Sequence, residues 1–427
     1  RQQNGTPVGT DATLDFGPSN PLTPGIVYTW DGTINVPTDG TYALWLQSSA
    51  GSMLDGGQVN PRTGNPNPLG GGLTALSVDG TSVNLAIPST IQANTYPGGN
   101  TVNGIYLGWS NWGAYLHLTA GAHTVRVSDT VPQNAVVPVL FRFTWSSVQE
   151  TINAAVSLAQ KASLAIVFVD DANASSAPGA VNPLGPYQDQ LVAAVTAVNP
   201  RTVVVLNTGN PVLMPWLSSV KALLEMWYPG QEGGTATAKI LLGQANPGGR
   251  LPITFPASSN DTPFTGHPER LPGVNGQITW SEGIFTGYRW YDQQNIQPQF
   301  EFGYGLSYTQ FRYSKLSISQ ASDGGLDVGF RVQNVGNLAG DEVPQVYLGA
   351  PSSPPPVVQF AVNQLVMFTR ITLVPGQWQD VSLHVAPLQL SYWSTDQQAW
   401  VQAAGSRTLS IGASSRDIRL QGQVTEP

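Results

Sequence analysis

The sequence predicts a multidomain fold: a β-sandwich, then an α/β sandwich with a mostly parallel sheet, then a second β-sandwich. Three observations predict it. A chain of 427 residues is long enough for roughly three domains. Both ends carry short β-branched and aromatic runs broken by Gly, Pro and Asp turns. Between them, apolar runs of strand length alternate with amphipathic helical stretches, the pattern of a parallel sheet clad by helices. The boundaries fall at 1–148, 149–310 and 311–427.

In the first region, 26–30 and 40–46 read as strands joined by the turn Pro37-Thr38-Asp39-Gly40. Residues 75–78 lead into the turn Asp79-Gly80, and 122–127 and 140–145 are further strands. Residues 60–72, rich in Pro, Gly and Asn, form a long surface excursion. The middle region opens with a helix over 151–162. The apolar run 164–169 predicts a parallel strand buried on both faces, ending at Asp170-Asp171. A helix over 188–198 places Leu191, Val192, Val195 and Val198 on one face. Strands 202–206 and 222–227 and a helix 232–242 follow. Ligands meet such sheets at the carboxyl ends of the strands, where Asp170, Asp171, Asn207 and Glu225 lie. In the last region, 325–333, 342–348, 364–373, 381–385 and 408–414 read as strands at sandwich spacing.

Composition excludes several functions. Charged residues are 10% and the net charge is -8, so no basic face for nucleic acid is expected. No run of about 18 apolar residues is present to span a membrane as a helix. With Cys at 0, disulfides, thiol catalysis and Cys-ligated metal are out. The four histidines (His117, His123, His267, His384) are scattered, so no metal and no cofactor are expected. Neutral polar surface with few lysines suggests a secreted or periplasmic protein. The chain opens Arg1-Gln2-Gln3 without Met, which suggests a processed or truncated piece. No Gly-x-Ser-x-Gly elbow supports a serine triad. The turn Gly230-Gln231-Glu232-Gly233-Gly234 lacks the Lys-Ser/Thr of a phosphate loop and reads as a strand-to-helix turn, with Glu232 favoured by the helix dipole.

The stretch 280–292, Trp-Ser-Glu-Gly-Ile-Phe-Thr-Gly-Tyr-Arg-Trp-Tyr-Asp, is the chemical candidate. Glu282 is surrounded in sequence by Trp280, Phe285, Tyr288, Trp290 and Tyr291. Rings desolvate a carboxyl and raise its pKa, so it can act as a proton donor to a leaving oxygen. Aromatic faces suit an amphipathic ring such as a sugar. The alternative is an ordinary surface Glu in an aromatic loop.

Residues 280–292 resemble the E-G-I-x-x-G-Y-R-[YW]-[YF]-D signature of glycoside hydrolase family 3. Two more stretches resemble that family: Trp227-Tyr228-Pro229-Gly230 with Asn246-Pro247-Gly248-Gly249-Arg250-Leu251-Pro252, and Phe302-Gly303-Tyr304-Gly305-Leu306-Ser307-Tyr308. The order Trp30-Asp31-Gly32, Pro37, Gly40-Thr41-Tyr42, Val78-Asp79-Gly80 resembles a PA14 domain without a clear opening strand, and 311–427 resembles a fibronectin type III-like domain. The resemblance implies a retaining β-glucosidase in which Glu282 is the general acid/base, with Trp280, Tyr288 and Trp112 contacting the glycoside. Trp109, Trp112 and Tyr115 either line a sugar subsite or fill the sandwich core, and core is the first reading. It also implies an Asp nucleophile on a (β/α)8 barrel, about 250 residues, and no such barrel is present. The partner expected is therefore a barrel chain or segment. The family's Glu and Asp-Arg pair after the Asp170 strand are absent from Asn173-Ala174-Ser175-Ser176. The long loops 60–72 and 94–112 are expected to overhang Glu282. Two other readings stay open: a catalytically silent carbohydrate-binding protein, and a β-xylosidase or other exo-glycosidase of the family.

Overall fold

The structure is a computed structural model that describes residues 1–16, 20–48, 74–85, 101–102, 105–106, 110–131, 141–171, 181 and 183–426. The loop 60–72 and most of 94–112 lie outside them, as does the stretch 173–176. The chain forms two compact units. One comprises Arg1–Ser175, Pro183–Thr208 and Met214–Glu225; the other Ser176–Asn182, Gly209–Leu213 and Met226–Pro427.

The first unit begins with a sandwich of two antiparallel sheets. In one, Val27–Val36 and Gly121–Thr130 pair over ten residues, with Thr74–Val78 beside them. In the other, Gly40–Ser48 lies between Ser110–Leu118 and Phe141–Ser147. Alternate residues face inward, so Tyr28, Trp30, Ile34 and Val36 meet Tyr42, Leu44, Leu46 and Phe141 in one core. Trp30 stacks on Phe141 with centroids 5.1 Å apart. Gly113 is required where it stands: a Cβ there would lie 2.3 Å from the Trp45 ring. Short pairings open the chain. Gln2–Gln3 pairs with Tyr28 and Thr29, and Asp15–Phe16 pairs with Phe141 and Arg142. Two-residue strands carry no periodicity, so sequence pattern cannot find them.

The helix Val148–Lys161 starts three residues before the expected 151, because Ser147 Oγ accepts from the Glu150 amide at 3.3 Å. Strands Ala165–Asp170, Thr202–Asn207 and Ala222–Glu225 form a parallel sheet. The helix Gln188–Val198 buries Val192 and Val195. The expectation that 164–169 is buried on both faces is corrected. Val167 and Val169 are buried, but Ile166 is 41% and Phe168 56% exposed. Among the described residues the strand is at the edge of a three-stranded sheet and buries alternate side chains only. The expected strand 222–227 stops at Glu225, since Trp227 turns to φ 53°.

The second unit contains the helix Gly233–Leu241, the 280–294 region and the C-terminal sandwich. There Phe311–Gln320, Leu326–Asn334 and Trp378–Val385 face Asn363–Phe368, Gln345–Gly349, Gly405–Gly412 and Ile418–Glu426. Val328, Val332, Val346, Leu348, Leu409 and Ile411 fill the space between. Two expected strands are each split. Residues 342–348 break at Val343-Pro344, where proline has no N–H for the ladder. Residues 364–373 break at Thr369-Arg370, and Ile371–Leu373 pairs instead with Gly340–Glu342.

Candidate active site

The site is built by two turns. Asn275 and Gly276, with φ of 52° and 75°, make a reversed turn closed by hydrogen bonds in both directions between Val274 and Gln277. Asn-Gly favours this geometry because both positions need φ > 0. The turn folds the chain back, and the Thr279 amide bonds the Glu269 carbonyl at 2.8 Å. Gly273 allows the close pass; a Cβ there would be 2.6 Å from the Gln277 carbonyl oxygen. The second turn carries Glu282, with the Phe285 amide bonding the Glu282 carbonyl at 3.2 Å. Phe285 and Tyr291 are buried beneath it and anchor the loop and the short helix Tyr288–Gln294.

Glu282 is buried, with only 3% of its side chain exposed. Its Oε2 lies 3.5 Å from Arg270 Nε and has no hydrogen-bond donor. Arg270 instead donates from Nε to Ser281 Oγ at 2.7 Å and from Nη1 to the Pro263 carbonyl at 2.7 Å. Ser281 Oγ donates to Glu269 Oε1 at 3.1 Å, and His267 Nδ1 is 3.0 Å from the same oxygen. Hydrogen bonds from its own backbone, His267 and Ser281 hold Glu269 below the usual carboxylate range.

Glu282 lines a cleft of about 320 Å³ with Thr265, His267, Arg270, Phe285, Trp290 and Gln293 among its walls, and Gln359 comes from the C-terminal sandwich. Glu282 is the only carboxylate among the described residues that line it. The cleft has the ingredients of a sugar site: one acid, an indole and several neutral amides.

The other expected contacts do not gather there. Trp280 is 72% exposed and is not part of the cleft wall. Tyr288 is packed away from the cleft. It stacks on Phe302 at 4.8 Å and accepts a hydrogen bond from the Leu365 amide at 2.8 Å. Its hydroxyl ties the helix to the sandwich, a long-range role that local aromatic density could not reveal. Trp112 sits in the strand Ser110–Leu118 opposite Leu46, and its side chain is outside the described residues. Trp290, one of the rings read around Glu282, does line the cleft, whereas Gln293, Arg270 and Gln359 were missed. The Asn275-Gly276 turn was the signal for Arg270, since a hairpin there folds 269–270 back toward 279–281.

Three other acids singled out in the sequence, Asp170, Asp171 and Glu232, have other surroundings. Asp170 bonds Gln188, and burial pushes its carboxyl above the usual range. Asp171 is fully buried, and Glu232 stands exposed before the helix Gly233–Leu241. Among the described residues no cluster of His, Cys, Asp and Glu could hold a metal ion. No described helix is long and apolar enough to cross a membrane.

The second unit thus holds a buried acid on a polar cleft together with the C-terminal sandwich. Residues 29–308 match the model of the glycosyl hydrolase family 3 C-terminal domain, and 342–415 match a fibronectin type III-like domain. The chain belongs to glycosyl hydrolase family 3. It is 40% identical over 243 residues to a β-glucosidase of Rhizobium radiobacter, covering 56% of this chain and 29% of that protein. It is 38% identical over 287 residues to β-glucosidase B of Emericella nidulans, covering 63% and 33%. The solved structure of DesR, a β-glucosidase from Streptomyces venezuelae in complex with D-glucose, is similar at 34% identity and TM-score 0.71, covering 97% of this chain and 49% of that one. The chain thus spans half or less of the length of these relatives.

Proposed function

We propose that this chain is the acid/base-bearing part of a retaining exo-acting β-glucosidase, with Glu282 as general acid and then base. The observation that carries the proposal is the setting of Glu282: a buried carboxyl on a sugar-sized polar cleft with no second carboxylate among the described residues that line it. A retaining enzyme needs two carboxyls about 5–5.5 Å apart. The nucleophile is therefore assigned to a (β/α)8 barrel supplied by another segment or chain, in keeping with the relatives' greater length. The substrate is a terminal β-D-glucoside, and the protein is secreted or periplasmic. The regions 1–148, 149–310 and 311–427 are read as a PA14-like insert, an α/β domain and a fibronectin type III-like domain. A silent carbohydrate-binding role is the second reading, favoured by the single carboxylate in the cleft.

Chemistry follows from the geometry. Glu282 protonates the glycosidic oxygen as the nucleophile displaces it, and its carboxylate then takes a proton from the water that releases the sugar. The test is Glu282→Gln in the active protein containing this chain. Hydrolysis of alkyl glucosides should fall about 10²–10⁴-fold, while dinitrophenyl glucosides, which leave unaided, should lose little in their glycosylation step. Azide should rescue the second step and give a β-glycosyl azide. Uniform loss without azide product would refute the role of Glu282. The isolated chain should not hydrolyse aryl β-glucosides, and robust turnover by it would reveal a second carboxylate here.

A further inference from the structure

Arg270 is placed unlike a partner in an ordinary ion pair. Its guanidinium is 3.5 Å from Glu282 Oε2, yet its bonded donors go elsewhere, to Ser281 Oγ and the Pro263 carbonyl, each at 2.7 Å. Those two bonds fix the plane of the group. The Glu269 carboxylate, itself held by His267, locks Ser281 in turn. Arg270 is largely buried, with 11% of its side chain exposed, so its charge is poorly screened. Glu282 Oε2 meanwhile is enclosed without a donor. The single Nε hydrogen is committed to Ser281, so Arg270 acts on Glu282 across the 3.5 Å gap as a fixed charge.

We propose that Arg270 is a positioning residue for proton transfer by Glu282, held ready by the Ser281–Glu269–His267 chain. This rests on the reading of Glu282 as acid/base. In the first step the C–O bond electrons go to the leaving oxygen, which takes the Glu282 proton, while an aspartate nucleophile outside this chain bonds the sugar. Negative charge then appears on Glu282 against a cation already in place, which costs no reorganisation. In the second step the carboxylate takes a proton from water as the water oxygen bonds the sugar and the sugar–aspartate bond breaks, its electrons returning to the aspartate, and Arg270 keeps Glu282 aimed.

The experiment compares Arg270→Met, Arg270→Lys and Glu282→Gln in the active protein that contains this chain, across alkyl, phenyl and dinitrophenyl glucosides. Arg270→Met should lower kcat/KM for alkyl glucosides about 10–100-fold, part of the general-acid contribution, and kcat/KM for dinitrophenyl glucosides, which reads their glycosylation step alone, hardly at all. Arg270→Lys, which keeps the cation, should recover most of the alkyl rate. Should Arg270→Met not fold, Ser281→Ala, which frees the Arg270 Nε, is read instead and should give a smaller loss graded in the same order. A graded loss in Glu282→Gln together with an even loss, or none, in the Arg270 variant overturns the proposal. No grading in Glu282→Gln overturns the acid/base reading itself, so the two failures are distinguishable.

Discussion

Two buried glutamates in the second unit each stand beside an arginine, and the pairs differ in one respect. Glu342 receives Arg250 Nη2 at 2.7 Å and its own neighbour's amide, Val343, at 2.7 Å, with 6% and 8% of the two side chains exposed. Glu282 is as buried, but Arg270 stops at 3.5 Å and Oε2 has no donor. Burying a charge without full pairing is costly, and folding alone gives no reason to keep it. The hydrogen-bonded pair links 250 to 342 and joins the motif Gly249-Arg250-Leu251-Pro252 to the sandwich. The unsatisfied pair lines a cleft. Burial and partner type are the same in both; the difference is whether the hydrogen bonds close.

The contrast breaks most visibly through variants of the acids themselves. Glu282→Gln should cost about 10²–10⁴-fold in activity and leave the melting transition nearly unchanged or raised. An amide is cheaper to bury than a carboxylate lacking a donor, and Arg270 keeps its bonds to Ser281 and Pro263. Glu342→Ala should do the reverse. It strands Arg250, whose Nε already lacks a partner, and should cost about 3–5 kcal/mol in denaturant unfolding. Activity per folded molecule should hold. Equal effects of the two variants on stability would remove the distinction between the pairs.

A smaller effect sharpens the same contrast at Tyr288. Its hydroxyl accepts from the Leu365 amide, so Tyr288→Phe leaves that amide unpaired and should cost about 1–3 kcal/mol. KM for glucosides should not move, because the ring is not on the cleft. A raised KM with unchanged stability would return Tyr288 to the substrate.

How much of this was legible in the sequence depends on range. The helix Gln188–Val198 was read to the residue because its 3.6-residue period is local. Glu282 stood out because one short motif holds it. Arg270 and Gln359 reach the cleft by folding across 12 and 77 residues, and no periodicity records such a meeting. The burial of 164–169 was misjudged because an apolar run tells which residues can be covered, not whether a second layer covers them. Tyr288 was misplaced for a related reason: aromatic density around an acid suggests a platform, whereas its hydroxyl partner is Leu365, in another sheet.

The smallest effect tests the comparison at the surface, where solvent replaces missing partners. In the first unit His123 Nδ1 is 2.6 Å from Asp79 Oδ2, and Nε2 is 2.8 Å from the Thr119 carbonyl. Both neighbours are acceptors, which favours the ring with both nitrogens protonated. The bond to Asp79 raises the His123 pKa, and the same bond lowers that of Asp79. His384 repeats the arrangement in the second unit, between Asp327 at 2.9 Å and Asp323 at 3.0 Å, and its pKa is also raised. A raised histidine contributes stability that is full below its unfolded pKa of about 6.5 and is lost as pH rises through the folded value. A lowered aspartate contributes above about 3.9 and loses it as pH falls through its own folded value. The pair is therefore most stabilising between those limits, and weakly so, because Asp79 is half exposed. Asp79→Asn should bring the His123 pKa, followed by the NMR shift of its ring proton, down toward about 6.5. It should also flatten the alkaline decline in melting temperature, leaving the decline from His384 in place. An unmoved His123 titration would mean that solvent already satisfies the ring and that Asp79 adds nothing.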